Sequence, residues 1–394
     1  VRGRPRFSRP PPPAGVRPSN AARSSALDGL RGSAALAVLV FHVWLYRPGG
    51  LPGPRNALGD KVLFELNLGL ICFFVLSGFL LFRPFARAAL SGAPQLDLRG
   101  YALRRAARIL PAYYACLAGA LLLYEIVGAG RLVPPPGQLA TFFFFGQSYS
   151  ASTLTAVNAV TWTLCVEVVF YLLLPLLGWA VIRLGPTRVR AQVALLVGLI
   201  GVSVGWNAIT HFSGWGPVAS KSLPAYVGDF SFGMLAALWI ERLDIRRRAG
   251  APAGPARRAG VLLALSGAAA VAATGYWHER WGSHTLIHQI LMDMPAAAGF
   301  ALLVAALASA RASAPSLFRA RPLVGAGVIS YGLYLWHIPL ILVLIELGLL
   351  PGSLAPRLAV VLGLTVAVAW LSWRVVERPA LRRVARRSIR PATT

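Results

Sequence analysis

The stretch Leu27-Asp28-Gly29-Leu30-Arg31-Gly32, running through apolar residues to Phe41-His42, decides how the rest of the chain is read. It is hydrophobic enough to span a bilayer, yet it carries an Asp and an Arg at one end and a His near the other. Ionisable groups inside a span are costly, face the protein interior and mark function by default. On a helix, residues 31 and 42 differ by only about 20° around the axis and lie roughly 16 Å apart along it. Asp28 is about 40° off that line, so the helix shows one narrow polar seam with a cation at one end and an imidazole deep along it.

The composition fits that reading. Of 394 residues, 56% are hydrophobic and 13% charged, and the mean hydropathy is +0.62. Soluble domains carry about 25% charged residues, so the expected class is all-α, a polytopic transmembrane helix bundle. Apolar runs of spanning length fall at about 27–46, 62–82, 109–128, 159–182, 191–210, 223–241, 259–277, 286–310, 323–348 and 354–376, giving ten expected spans. An odd stretch at 138–158 has Phe142 to Phe145 followed by Gly, Gln, Ser, Thr and Asn.

The excess of 39 Lys and Arg over 13 Asp and Glu is explained by topology rather than by nucleic acid. With both termini in the cytoplasm, only Arg47, Arg55, Lys61, Arg131, Lys221, Arg280 and Arg357 fall in loops on the far side, as the positive-inside rule asks. A full span at 138–158 would flip every later loop and destroy that bias, so this segment is expected to be re-entrant or non-spanning, buried in protein or lining a wet cavity. Residues 1–25, Arg- and Pro-rich, read as a disordered cytoplasmic tail; 26–380 as the membrane domain; and 381–394 as a basic cytoplasmic tail. The region from Arg83 to Arg108 is expected to hold a short interfacial helix. Cys72, Cys116 and Cys165 lack metal spacing and read as small buried hydrophobes.

The polar residues inside the spans are the candidates for chemistry. His42 suits a general base that takes a proton from an attacking hydroxyl. Arg105 and Arg108, three apart on one helical face, suit a phosphate-bearing ligand, with positive-inside anchoring as the plain alternative. Arg31 is expected at the same membrane face. Glu167, in Trp162-Thr163-Leu164-Cys165-Val166-Glu167, is expected near the depth of His42, where it would orient the imidazole or bind sugar hydroxyls, unless it pairs with an Arg or Tyr for structure. Ser77-Gly78 reads as a close helix crossing rather than a nucleophile. His337 is either packing glue or pocket lining, and Pro339 frees a carbonyl one turn earlier. Asp293 would support a Pro kink, and Glu377-Arg378 a helix stop with a local ion pair. No metal motif, phosphate-binding loop or Gly-x-Ser-x-Gly elbow is present.

Five of these motifs in order resemble the acyltransferase type 3 family of integral-membrane acyltransferases. They are Leu27 to Gly32 with Phe41-His42; Phe73-Phe74-Val75-Leu76-Ser77-Gly78-Phe79; Arg105-Ala106-Ala107-Arg108-Ile109-Leu110-Pro111; Trp162 to Glu167; and Ile329 through Tyr331, Tyr334, Trp336 and His337 to Pro339. The resemblance covers Arg23 to Pro379. By its depth Glu167 is expected to be catalytic with His42, and Asp28, Ser77, Trp162, Tyr331 and His337 to support the site; the resemblance implies His42 as catalytic base, with Arg31, Arg105 and Arg108 near an acyl-CoA donor. It implies O-acylation of a sugar, cell-envelope glycan or secondary metabolite, acetyl being the expected group, with no cofactor beyond the acyl-CoA co-substrate. Two departures stand out. Thr163 replaces the commoner Ser, and the chain ends soon after Arg390, where some members continue into an extracytoplasmic domain.

In the resulting picture the donor docks its phosphates at the arginines, its arm threads the seam to His42, and the acceptor enters from the opposite side. The competing reading is an exporter of a small metabolite or lipid-linked sugar that uses His42 and Glu167 as a proton relay. Its mark, repeated halves with broken helices, is not evident in the residues.

Overall fold

The computed structural model describes residues 19–47, 58–92, 96–250, 257–281, 285–309 and 316–389. They form a helix bundle. Its first half holds α1 (Ser19–Leu45), α2 (Leu58–Glu65), α3 (Gly69–Ser91), α4 (Leu98–Ile126), α5 (Pro136–Phe143), α6 (Thr161–Leu184), α7 (Val189–Phe212) and α8 (Pro217–Ser220). The second half holds α9 (Leu223–Arg248), α10 (Arg257–Trp281), α11 (Leu286–Leu291), α12 (Met294–Ser309), α13 (Arg321–Val328), α14 (Ser330–Glu346), α15 (Leu354–Ser372) and α16 (Arg378–Ile389).

Among the described residues, 8 helices are long and apolar enough to cross a membrane, and 9 if the bent pair α13–α14 counts as one span. The remaining expected span, 286–310, is broken: Met292, at φ +47°, separates α11 from the apolar α12. The span at 323–348 is broken as well, with a 75° bend between α13 and α14. The interfacial helix expected between Arg83 and Arg108 is absent among the described residues. Instead α3 runs on to Ser91, and α4 starts at Leu98, so Arg104, Arg105 and Arg108 belong to a spanning helix. Asp97 caps that helix by accepting the Gly100 N–H at 2.6 Å, and this bond holds its carboxyl below the ordinary range. Most of the expected N-terminal tail lies outside the described residues, but its last part, from Ser19, is already helical.

The segment at 138–158 does not span. After α5 it proceeds by turns, and its carbonyls are answered by side chains of α4 and of the segment itself. Tyr113 Oη donates to Phe142 O, Tyr114 Oη to Phe143 O and Tyr124 Oη to Val157 O, each at 2.7 Å. Irregular backbone at this depth needs such partners because lipid offers none. The same principle explains Asn158. Pro339 has no N–H for Leu335 O, and Asn158 Nδ2 donates to that carbonyl at 2.8 Å.

Glycines set two close helix crossings. A Cβ at Gly32 would stand 2.1 Å from Leu323 O, and one at Gly327 would stand 1.9 Å from Asp28 O, so α1 and α13 touch backbone to backbone. On the other flank Gly78 and Gly233 let α3 and α9 meet in the same way. These two helices run parallel: the Phe74 ring packs against Phe230 near their beginnings, and Arg83 and Arg87 reach Glu241 near their ends. The bundle therefore has an arginine end, where α3 and α9 finish. At the opposite end α2 packs on the end of α1 through Phe41–Phe64 and a Trp44–Asp60 hydrogen bond of 2.6 Å. His42 belongs to that second end.

Candidate active site

Asp28 and Arg31 meet as an i, i+3 pair, Nη2 to Oδ1, at 2.5 Å. Arg31 also donates from Nε and Nη2 to Gly327 O at 3.2 and 3.1 Å. Gly327 is where α13 ends, so its carbonyl has lost its helical partner, and Ser330 Oγ donates to it as well at 2.9 Å. The cation of the opening motif therefore closes the broken end of another helix. That is a structural duty, and Arg31 performs it while still facing a cavity.

This cavity, about 130 Å³, lies between α3, α4, α6 and α14. Arg31, Arg105 and Arg108 line one part of it; Ser77, Glu167 and Tyr171 line its wall; Tyr334 and Thr163 line its far part. The three arginines are not equivalent. Arg108 Nη1 bonds Glu377 Oε2 at 3.1 Å, and its guanidinium lies over the Tyr331 ring at 5.5 Å. Glu377 is fully buried in the π-helical turn Trp373–Glu377, and so pairs with Arg108 rather than with its neighbour Arg378 as the sequence suggested. Tyr331 Oη donates to Ile109 O at 3.1 Å and fixes α14 against α4. Arg105, by contrast, makes no hydrogen bond or ion pair among the described residues, which leaves its five donors for a ligand.

Glu167 does not stand beside His42. Its Oε1 accepts from Ser77 Oγ and its Oε2 from Tyr171 Oη, both at 2.9 Å, so the carboxylate belongs to the cavity of the arginines. Of the two expectations for Glu167, pairing with a Tyr is the one observed, and its placement beside His42 is corrected: position along α6 gave a depth but not the direction in which the side chain faces. Ser77 is a donor to this carboxylate, and Gly78 beside it makes the helix crossing. Trp162 faces elsewhere, with Tyr226 at 5.5 Å and Lys221 Nζ over its ring at 5.4 Å.

The partner of His42 is His337. Their rings lie 4.9 Å apart, with His337 Nε2 3.2 Å from His42 Nδ1. The acceptors fix the protons. His337 Nδ1 is 3.0 Å from Leu333 O, and a carbonyl only accepts, so the neutral imidazole carries its proton on Nδ1 and a lone pair on Nε2. His42 Nδ1 is 2.9 Å from Val38 O and must likewise be the protonated nitrogen, shared between that carbonyl and the His337 lone pair. His42 Nε2 is then the bare nitrogen, and no hydrogen bond among the described residues engages it. His337 is buried and His42 half-buried.

His42 does not line the cavity, so the seam along α1 is not the open channel the sequence suggested. Tyr334 adjoins both the cavity and His337. It lines the cavity, bonds Thr163 Oγ1 at 2.7 Å, and has its ring 5.9 Å from that of His337. Tyr334 and Tyr171 were missed as site residues. Tyr334 lay inside a motif already quoted, one turn before His337, and Tyr171 lies one turn after Glu167, so helical spacing alone would have found both.

The chain matches a family model described as an acyltransferase domain over residues 24–374. It is 27% identical over 380 residues to nodulation protein 10 of Rhizobium leguminosarum bv. viciae, covering 90% of this chain and 92% of that protein. It is 24% identical to a putative peptidoglycan O-acetyltransferase, YrhL, of Bacillus subtilis and 24% identical to the peptidoglycan O-acetyltransferase OatA of Listeria monocytogenes. Each of those matches covers 90% of this chain, which spans only 54% and 55% of those two proteins. No solved structure matches significantly.

Proposed function

From a chain that belongs to the acyltransferase type 3 family of membrane acyltransferases, we propose an O-acyltransferase that moves an acyl group, acetyl first, from acyl-CoA to a sugar or glycan hydroxyl with His42 as general base. Two relatives that are peptidoglycan O-acetyltransferases, one of them putative, support a glycan acceptor. The observation that carries the mechanism is the His42–His337 pair, whose geometry leaves His42 Nε2 unprotonated and unengaged.

The acceptor O–H gives its proton to His42 Nε2 as its oxygen attacks the thioester carbonyl. The carbonyl reforms, the C–S bond breaks, and the thiolate leaves with the proton returned by His42. His337 accepts from His42 Nδ1–H throughout and so stabilises the imidazolium that forms. At the other end, a cavity of about 130 Å³ is far below the 300–1,000 Å³ of pockets that enclose whole ligands. It suits the slender acyl-bearing arm, with the nucleotide outside at Arg105 and the acyl group at the Tyr334 end. Both termini and the arginine end are cytoplasmic in this reading, and the acceptor arrives at the histidine end. Keeping the two apart withholds water from the thioester.

The test is release of CoA from acetyl-CoA by the purified, lipid-reconstituted protein, with and without neutral oligosaccharides. Release that depends on the sugar supports the reading. No release with any hydroxyl acceptor would exclude acyl-CoA as the donor.

A further inference from the structure

A second cavity, about 430 Å³ and open to the surface, lies where the end of α7 meets α8 and α11. We propose that it is the acceptor subsite, a binding groove for a neutral pyranose of a glycan chain; this rests on the O-acyltransferase reading and adds the place where the acceptor docks.

The lining has the chemistry of sugar recognition. Trp215, 50% exposed, offers an indole face on which the apolar C–H face of a pyranose can lie. Around it stand Asn207, Thr210, His211, Ser220 and Gln289, which offer donors and acceptors together, as sugar hydroxyls require. No Asp, Glu, Lys or Arg is among the described lining residues, so the groove selects a neutral ring.

Two features set it apart from an interfacial aromatic belt, which would also place a Trp here. Thr210 is 8% exposed, yet its Oγ1 has no hydrogen-bond partner. A buried hydroxyl left unmatched costs about 1–3 kcal/mol; the Oγ1 itself is covered, and a turn of the Thr210 side chain would bring it to a ligand hydroxyl in the groove. The groove wall is also held in place: Trp206 donates to Ala219 O at 3.0 Å and buttresses Trp215 edge-on at 5.5 Å.

The groove lies at the same end of the bundle as His42. The groove ends at Ser220, three residues before α9 begins, and α9 begins at the end of the bundle that carries His42. From there Lys221, Trp162, Tyr226 and Phe74 form a continuous series of ring contacts, and Phe74 lines the cavity assigned to the donor.

The experiment is calorimetric binding of neutral oligomers of N-acetylglucosamine, glucose and mannose to the full-length protein in nanodiscs, without donor. Wild type and His42→Ala are expected to bind the preferred oligomer equally. Trp215→Ala should weaken binding about 10-fold or more, and Thr210→Val about 2- to 10-fold. Thr210→Val removes an unmatched hydroxyl at constant shape, so it should not lower thermal stability; unchanged melting with weakened binding separates a ligand role from a structural one. In turnover, both variants should raise the acceptor KM and leave the donor KM unchanged. Binding of none of the oligomers, or binding that neither variant weakens, overturns the proposal. Because binding is read without turnover, failure of the His42 chemistry would show separately, as retained transfer by His42→Ala.

Discussion

Arg105 and Arg108 lie on one face of α4 and line one cavity, yet their replacement should have opposite consequences. Glu377 is fully buried, Arg108 pairs with its Oε2 at 3.1 Å, and its second oxygen, Oε1, has no hydrogen-bond partner among the described residues. Arg108→Ala would leave this carboxylate uncompensated. Breaking a buried pair costs about 3–5 kcal/mol, and the 23% exposure of Arg108 argues for the lower end, about 3 kcal/mol. Arg105 has no such partner, so Arg105→Ala should leave stability unchanged. It should instead remove one guanidinium–phosphate interaction, about 1.5–3 kcal/mol or roughly 10- to 100-fold in donor affinity. The assay is thermal unfolding in nanodiscs alongside acetyl-CoA binding, for Arg105→Ala, Arg108→Ala and Arg108→Ala with Glu377→Gln. The double variant should regain most of the lost stability because the buried charge is gone. Should Arg108→Ala melt like wild type, or Arg105→Ala bind the donor normally, the division of labour argued here is wrong.

Three further outcomes follow from the packing. His337→Ala should lower kcat about 10-fold at unchanged donor affinity, and His337→Gln, whose amide oxygen can accept from His42 Nδ1–H, should recover part of it; equal rates for both would remove the positioning role. Gly32→Ala would place a Cβ 2.1 Å from Leu323 O and should cost about 1–3 kcal/mol by forcing α1 from α13, measured as a fall in melting temperature. Glu241 is buried between the half-exposed Arg83 and Arg87, so removing both arginines should destabilise by about 3–5 kcal/mol. Glu241→Ala should cost less, because the freed guanidiniums can turn to water; the reverse order on unfolding would contradict this.

How much could be read from the residues depended on how locally each feature is determined. The first helix was legible because Asp28, Arg31 and His42 are set on one stripe by helical geometry alone, and loop charges placed 138–158 outside the spans. Its carbonyls do find partners in the protein, as lipid burial demands. Pro339 likewise announced a freed carbonyl, though not that Asn158, 177 residues away from Leu335, would satisfy it. What was not legible is rotation and pairing between helices. Glu167 was assigned by depth to His42, but its direction around α6 sends it to Ser77 and Tyr171. Arg108 and Glu377 are separated by 269 residues, and nothing in either neighbourhood names the other. The break between α13 and α14 lay inside one apolar run, so the duty of Arg31 toward Gly327 O could not be foreseen.

The central claim is that His42 Nε2 takes the acceptor proton. Its most direct measurement is acyl transfer from acetyl-CoA to an oligosaccharide by reconstituted His42→Ala beside wild type, with melting temperature and donor affinity recorded on the same samples. His42→Ala is expected to lose about 100- to 10,000-fold in transfer with both other quantities retained. Transfer at the wild-type rate by a folded, donor-binding His42→Ala protein would contradict it.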